Sequence, residues 1–313
     1  MSYSLGIDIG GTSVKLGVVD REGNLHWEDH FSMSRNADNQ KFGEHLKHSF
    51  SQIPQNLKSQ LIGSGVCAPS PLESREGILL GYNNIAGLDH FPIKSFIQTE
   101  LGIPSFLQND ANAAAIAEYI FGEGKACDNL LVITLGTGLG SGWVINGELF
   151  TGWNGNGMEL GHITVEMNGA TCGCGQKGCV EAYFSTRGFL MRMEERGIVL
   201  ETGEDFFSLI RSKNPTEAKK QAAAIEVLEK GISALGEGIR SSVNLLNCTK
   251  VILVGGLTKS ADLYLEKLNE AVNQKVFPVF QKKISIRLGK SFSGIIGAGS
   301  LVFGESSGKL YFL

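Results

Sequence analysis

"LGIDIGGTSVKLGVVD", residues 5–20, decides how the rest of the chain is read. An apolar run over 5–9 is broken by Gly10 and Gly11 and resumes at Val14. That pattern predicts a strand, a glycine-rich hairpin and a second strand. The unit returns about 125 residues later as "LLVITLGTGLGSGWVING" (130–147), and "VILVGGLT" (251–258) repeats its first half. One unit used twice along a chain implies a duplicated architecture.

Helical patterns fill the intervals. "FGEHLKHSFSQI" (42–53) spaces Phe42, Leu46, Phe50 and Ile53 along one face. "LIGSGVCAP" (61–69) reads as a strand ending at a loop. "NDANAAAIAEYIFG" (109–122) reads as a helix capped by Asn109 or Asp110 and stopped at Gly122. Residues 215–247 carry the longest helical pattern, with Pro215 near its start, and 261–276 carry another. "GIIGAGSLVFG" (294–304) is a small-residue helix suited to packing closely on a sheet. Strands alternating with helices give an α/β class.

The glycines suggest a ligand. Gly10, Gly11 and Thr12 directly follow a strand, where a loop without Cβ atoms lets backbone N–H groups approach phosphate oxygens. Thr12 and Ser13 add hydroxyls and Lys15 a positive charge. Asp8 is placed to hold a magnesium ion through water, since hard cations prefer oxygen ligands. Residues 135–142, with Gly136, offer a second cradle, and Gly255 and Gly256 a third strand end. One such loop would be an ordinary tight hairpin; two copies and a third strand end favour a nucleotide. No G-x-x-x-x-G-K-[ST] sequence is present. A G-x-G-x-x-G match at Gly173, Gly175 and Gly178 follows no strand and is set aside.

Three of the six cysteines crowd into "GHITVEMNGATCGCGQKGCVE" (161–181). His162, Cys172, Cys174 and Cys179 offer one imidazole and three thiolates, a common structural zinc set, with glycines that let the chain wrap an ion. A redox C-x-x-C is absent. Cys67, Cys127 and Cys248 are scattered and read as small buried hydrophobes.

Composition limits the alternatives. The chain has 313 residues and a net charge of −4, which argues against a nucleic-acid grip. No apolar run approaches the roughly 20 residues of a membrane span. The start has no basic region ahead of its apolar stretch, so the expected compartment is cytoplasmic, with reduced thiols.

These pieces carry a family likeness. "GIDIGGTSVKLG", "QNDANAAA", "LGTGLGSGWVINGEL", "GMELGHI", "CGCGQKGCVEAY" and "VILVGGL" resemble, in order and over nearly the whole chain, the ROK family (repressors, uncharacterised reading frames and kinases). The resemblance implies two ribonuclease-H-like lobes of the hexokinase/actin type with an interlobe cleft holding sugar and ATP. It places residues 1–115 in a smaller lobe completed by a helix at about 294–305, and 116–293 in a larger lobe carrying the zinc-binding loop 162–181. It implies phosphoryl transfer from ATP, with Mg2+, to the 6-hydroxyl of a hexose, glucose giving glucose 6-phosphate. The family's catalytic base falls on Asp110, and its sugar contacts on Asn84, Asn109, Glu159, His162 and Glu181. Phosphate contacts fall on Gly11, Thr12, Thr137 and Gly138, with Gly255 and Gly256 near the adenosine. Zinc ligands fall on His162, Cys172, Cys174 and Cys179. His162 would then use one ring nitrogen for zinc and the other for a sugar hydroxyl.

Departures from the family pattern border the sugar pocket. The loop at 69–71 reads Pro-Ser-Pro where the family usually has Pro-Gly-Pro, and Met158 stands where Gly or Ala usually precedes the sugar glutamate. Competing readings are an N-acetylglucosamine or other N-acetylhexosamine, fructose or allose kinase; polyphosphate as donor; and a non-catalytic, sugar-sensing repressor. Family repressors carry a winged helix before the first glycine motif, which here begins at residue 5, and the acidic charge also disfavours that reading. The expected partners are a sugar and ATP, with neither nucleic acid nor membrane, and a homodimer is a family-level expectation.

Overall fold

The computed structural model describes residues 2–33, 38–80, 88, 90–125 and 127–306. In chain order the first elements are β1 (Tyr3–Ile9), β2 (Ser13–Val19), β3 (Leu25–Ser32), α1 (Asn39–Gln52), α2 (Gln55–Lys58), β4 (Leu61–Ala68), β5 (Leu72–Glu73), β6 (Ile78–Leu79), α3 (Ile93–Leu101), β7 (Ser105–Asn109) and α4 (Asp110–Phe121). Then come β8 (Asn129–Leu135), β9 (Leu139–Ile145), β10 (Glu148–Phe150), α5 (Thr186–Glu194), α6 (Gly203–Arg211), α7 (Ala218–Leu246), β11 (Lys250–Val254), α8 (Leu265–Lys275), β12 (Ser285–Leu288) and α9 (Gly294–Ser306).

The duplication seen in the sequence is real at the level of topology. One sheet runs β3-β2-β1-β4-β7 and the other β10-β9-β8-β11-β12. In each, a three-strand meander is followed by two strands added in parallel on the far side of the first: β4 pairs parallel to β1 and β7 to β4, as β11 does to β8 and β12 to β11.

The chain divides into two compact units. The first comprises residues 1–128, 142–158 and 290–313, the second 129–141 and 159–289. In the first unit, one face of the sheet buries Ile7, Leu16, Val66 and Leu107 with Phe42, Leu46, Ile93 and Ile97 of α1 and α3. Helix α9 covers the other face at backbone contact. A Cβ added at Gly6 would meet the Ile295 carbonyl oxygen at 2.0 Å, and one at Gly65 would meet that of Ala298 at 1.8 Å. Only glycine allows this approach, which is why the small-residue pattern at 294–304 faces glycines on β1 and β4.

The chain enters α9 past a buried anchor. Glu118 of α4 is 1% exposed. Its Oε1 accepts the N–H groups of Lys290 (2.6 Å) and Ser291 (3.1 Å), and its Oε2 that of Glu123 (3.1 Å). Replacing Glu118 with Ala would take the acceptor from three backbone donors, at about 1 kcal/mol for each hydrogen bond lost. We expect Glu118→Ala to cost about 3 kcal/mol or more by urea denaturation. Glu118→Gln should cost roughly half as much, since its amide oxygen can still take the Lys290 and Ser291 donors. A cost for Glu118→Ala within about 0.5 kcal/mol of zero, as at an ordinary surface site, would contradict this role.

In the second unit α7 is the central helix, burying Val227, Leu228, Leu235, Ile239 and Val243, while β8 and β11 bury Leu131, Ile133, Val251 and Leu253. Phe189 of α5 stacks on Phe206 of α6 with centroids 4.5 Å apart. The predicted helix at 261–276 begins later, at Leu265. A 3-10 stretch, Gly256–Leu263, occupies its first turn, and Ser260 there has non-helical dihedrals.

Candidate functional site

In the first unit the predicted residues gather at the carboxyl ends of three adjacent parallel strands. Asp8 on β1 is in register with Cys67 on β4, and Ala68 on β4 with Asn109 on β7. The carboxyl ends of parallel strands in open α/β sheets are where ligands bind, because the strands there give way to loops and helix N-termini. Gly10 N–H donates to the Ser13 carbonyl (2.9 Å), closing the β1–β2 turn that presents Gly11 and Thr12, and Lys15 lies opposite Asp8 in the antiparallel register.

Asn109 and Asp110 form the junction between β7 and α4. Asn109 is the cap: its Oδ1 accepts the Asn112 N–H (2.7 Å), and its Nδ2 lies 3.4 Å from Ser70 Oγ. Asp110 follows as the first helical residue, its Oδ1 accepting the Ala111 N–H (2.9 Å). Of the two residues the sequence offered as the cap, Asn109 takes that role and Asp110 is left for other work. The Asp110 carboxyl is reachable from solvent, yet closely surrounded by protein. That desolvation raises its pKa above the ordinary aspartate value, the Ala111 N–H opposes the rise, and the nearby Asp8 adds to it. Asp8 is raised as well, by burial, against the thiol of Cys67 and the charge of Lys15. Two carboxyls that each disfavour ionisation within one field make a place where a proton or a divalent cation is welcome.

In the second unit the β8–β9 turn, Gly136-Thr137-Gly138, is held from beneath by the start of α5. Thr186 N–H donates to the Gly136 carbonyl (2.9 Å) and Arg187 N–H to that of Thr137 (3.2 Å). Glu181 Oε2 accepts the Leu139 N–H (2.8 Å). A Cβ on Gly138 would sit 2.5 Å from that oxygen, so the glycine lets the glutamate through. Gly255, with a left-handed φ of 99°, ends β11 and leads into the 3-10 stretch. A cavity of about 590 Å3 joins these strand ends: Gly136, Thr137 and Gly256 line it together with Thr186, Phe207 and Arg211.

Phe207 and Arg211 on α6 were not anticipated from the sequence. A signal was available, since Thr202 and Asp205 form a reciprocal capping box that starts α6. Nothing in the helical period, however, shows that the flank beside the buried Phe206 lines a pocket.

The cysteine-rich loop closes on itself. The ligand atoms of His162, Cys172, Cys174 and Cys179 all lie within 4.8 Å of one another. Cys174 and Cys179 sulfurs are 3.8 Å apart, and His162 Nδ1 is 3.7 Å from Cys172 Sγ. Four donors about 2.0–2.3 Å from one central ion at tetrahedral angles would stand roughly 3.5–3.8 Å apart, so the donor set fits zinc in type and these two pairs fit it in spacing. Burial and the neighbouring sulfurs push the Cys179 thiol up to about 12, so thiolates packed this closely call for a cation among them. Glu159 immediately precedes the 3-10 turn Leu160–His162, and its carbonyl accepts the His162 N–H (3.0 Å). Met158, just before it, has a left-handed φ of 66°. Asn84 lies outside the described residues.

The comparisons with known proteins follow this geometry. The ROK family model matches residues 4–305. A glucokinase of Halalkalibacterium halodurans is 31% identical over 317 aligned residues, covering 96% of this chain and 94% of that protein. A xylose repressor of Bacillus spizizenii is 29% identical, covering 88% of this chain and 70% of the repressor. Among solved structures, a ROK family glucokinase from Streptomyces griseus in complex with glucose and AMPPNP superposes with a TM-score of 0.73 at 26% identity, over 96% of this chain and 99% of that one. The paired sheets are those of the hexokinase/actin fold, the family match leaves only the extreme ends of the sequence uncovered, and the chain belongs to the ROK family.

Proposed function

We propose that this protein transfers the γ-phosphoryl group of ATP to the 6-hydroxyl of a hexose, with glucose as the preferred acceptor. The observation that carries the reading is the Asp110 carboxyl, fixed at the β7–α4 junction where solvent and a substrate can reach it, with its pKa raised by the protein packed around it. A hydroxyl must lose its proton as it attacks phosphorus, and a positioned carboxylate with a raised pKa accepts that proton better than an ordinary one. In the reaction the 6-hydroxyl proton passes to Asp110, the hydroxyl oxygen forms its bond to the γ-phosphorus, and the bond to the β–γ bridging oxygen breaks to release ADP.

Gly10, Gly11, Thr12, Gly136, Thr137 and Gly138 would supply backbone and hydroxyl donors to the phosphates, and the 590 Å3 cavity beside Gly256 would take the adenosine. Asp8 would hold magnesium through water. Asn109, Glu159, His162 and Glu181 would meet the sugar hydroxyls. A zinc ion on His162 Nδ1 and the three sulfurs would be structural, and its chemistry is to stiffen the loop. His162 would then present its other ring nitrogen to the sugar in a fixed tautomer.

Met158 favours an unmodified pyranose over an N-acetylated one. A left-handed non-glycine residue costs roughly 1 kcal/mol or more against glycine. Met158 stands next to Glu159, and its side chain, if turned toward the sugar, would crowd an N-acetyl group. The deciding measurement is kcat/KM, by coupled detection of ADP, for glucose, N-acetylglucosamine, N-acetylmannosamine, mannose, fructose and allose. Glucose should lead. A tenfold advantage for another sugar, about 1.4 kcal/mol, would move the assignment while leaving the kinase. The likeness to xylose repressors favours a second reading, sugar sensing without turnover, and sugar binding with no ADP release from any of the six would establish it.

A further inference from the structure

We propose a second binding site in the first unit, for a phosphomonoester of a small polyol, in the cavity beside the open edge of β7. The cavity measures about 350 Å3 and is lined by Ser74, Arg75, Lys94, Phe106, Gln108 and Thr151. β7 is the last strand of its sheet, and among the described residues no further strand pairs with this edge.

The wall chemistry is that of an anion site. Arg75 follows β5 and Lys94 stands in the first turn of α3, and both line the same hollow. Among the described residues neither cation is in an ion pair: Lys94 Nζ lies 3.4 Å from the Arg75 carbonyl oxygen, while Lys47, Arg211, Lys230, Lys267 and Lys275 each have a carboxylate partner. Two cations without a carboxylate partner among the described residues match the two charges of a phosphomonoester, and the arginine fork suits two of its oxygens.

The floor carries buried polar groups. Gln108 is 2% exposed and Thr151 3%. The Gln108 carbonyl is taken by Asn112 Nδ2 (3.0 Å), which leaves its amide nitrogen as the donor. Ser74 Oγ is buried and has no hydrogen-bond partner among the described residues. A buried hydroxyl left unmatched costs about 1–3 kcal/mol, and a ligand oxygen would satisfy it. The half-buried ring of Phe106 gives one apolar wall, enough for the carbon skeleton of a sugar. None of these residues belongs to the groups assigned above to sugar, ATP or zinc.

The test is calorimetric titration of the full chain with inorganic phosphate, glucose 6-phosphate and glucose, on wild type and on an Arg75→Ala/Lys94→Ala variant. Glucose 6-phosphate should bind wild type and lose tenfold or more in affinity in the variant. Inorganic phosphate should follow the same trend more weakly. Glucose 6-phosphate is titrated with glucose saturating, so that the proposed sugar site, where it would be the product, is already filled; glucose alone should bind both proteins equally, and a failure of the kinase reading leaves this result untouched. A melting temperature matching wild type without ligand would show that the variant is folded. Equal glucose 6-phosphate affinity in both proteins, or none in wild type, would overturn the proposal.

Discussion

Asp110→Asn should lower kcat by about 10²- to 10⁴-fold, the usual range for losing a general base. It should leave sugar binding and the fold in place. The amide keeps the size of the side chain and an oxygen for the Ala111 N–H, and the helix cap is Asn109 rather than residue 110. The stability of the variant provides a second reading. The folded-state pKa of Asp110 is raised, so its contribution is present at low pH and lost as pH rises through that folded value. At neutral pH the ionised carboxylate of the wild type then gains nothing from the fold, and solvent at this exposed position keeps any cost small. The asparagine variant should melt at the same temperature or higher at pH 7, and that advantage should vanish below the ordinary aspartate pKa. The acidic limb of the kcat/KM profile should lie above the ordinary aspartate range, since the base must be ionised to act. Near wild-type turnover would place the base elsewhere.

The second large effect concerns the metal. Purified protein should contain about one zinc per chain, and Cys174→Ser should lose it. Cys174 is the useful position because its side chain is exposed, whereas Cys179 is fully buried and its replacement would disturb packing as well. Metal binding at such a site is folding free energy. We expect a loss of about 3 kcal/mol or more, read as a melting temperature about 6 °C or more lower. Stripping wild type with a chelator should bring it to the same value, and adding zinc back should restore only the wild type. Active protein free of zinc, or a variant as stable as the parent, would refute the assignment.

Much of this was readable in the sequence because the decisive features are local. Gly10 and Gly11 between two apolar runs specify a hairpin whatever surrounds it. The Asn-Asp pair before Ala111 specifies a helix start, and the cysteine spacing brings its own ligands together. What escaped depended on partners far along the chain. Phe207 and Arg211 meet Gly256 only once α6 and β11 are packed. The pairing of Glu118 with Lys290 joins residues 172 positions apart. Strand β3 puts His26, Glu28 and His30 on its exposed face, as an edge strand should, but Asp29 among Trp27 and Phe31 on the other face interrupts the apolar alternation that would mark it in the sequence.

The return of α9 to the first sheet sets a timetable for the ribosome. Strands β1 and β4 and their glycines are made early, but the helix that covers them follows only after residues 159–289 have been translated. At about 5–20 residues per second, that interval lasts roughly 7–26 seconds. Through it the nascent first unit holds an apolar sheet face open to water and to its neighbours. The second unit has by then been made in full, and it can finish folding first. The closing of that face by α9 is therefore the last step open to the first unit, and it waits on the final stretch of chain to be made.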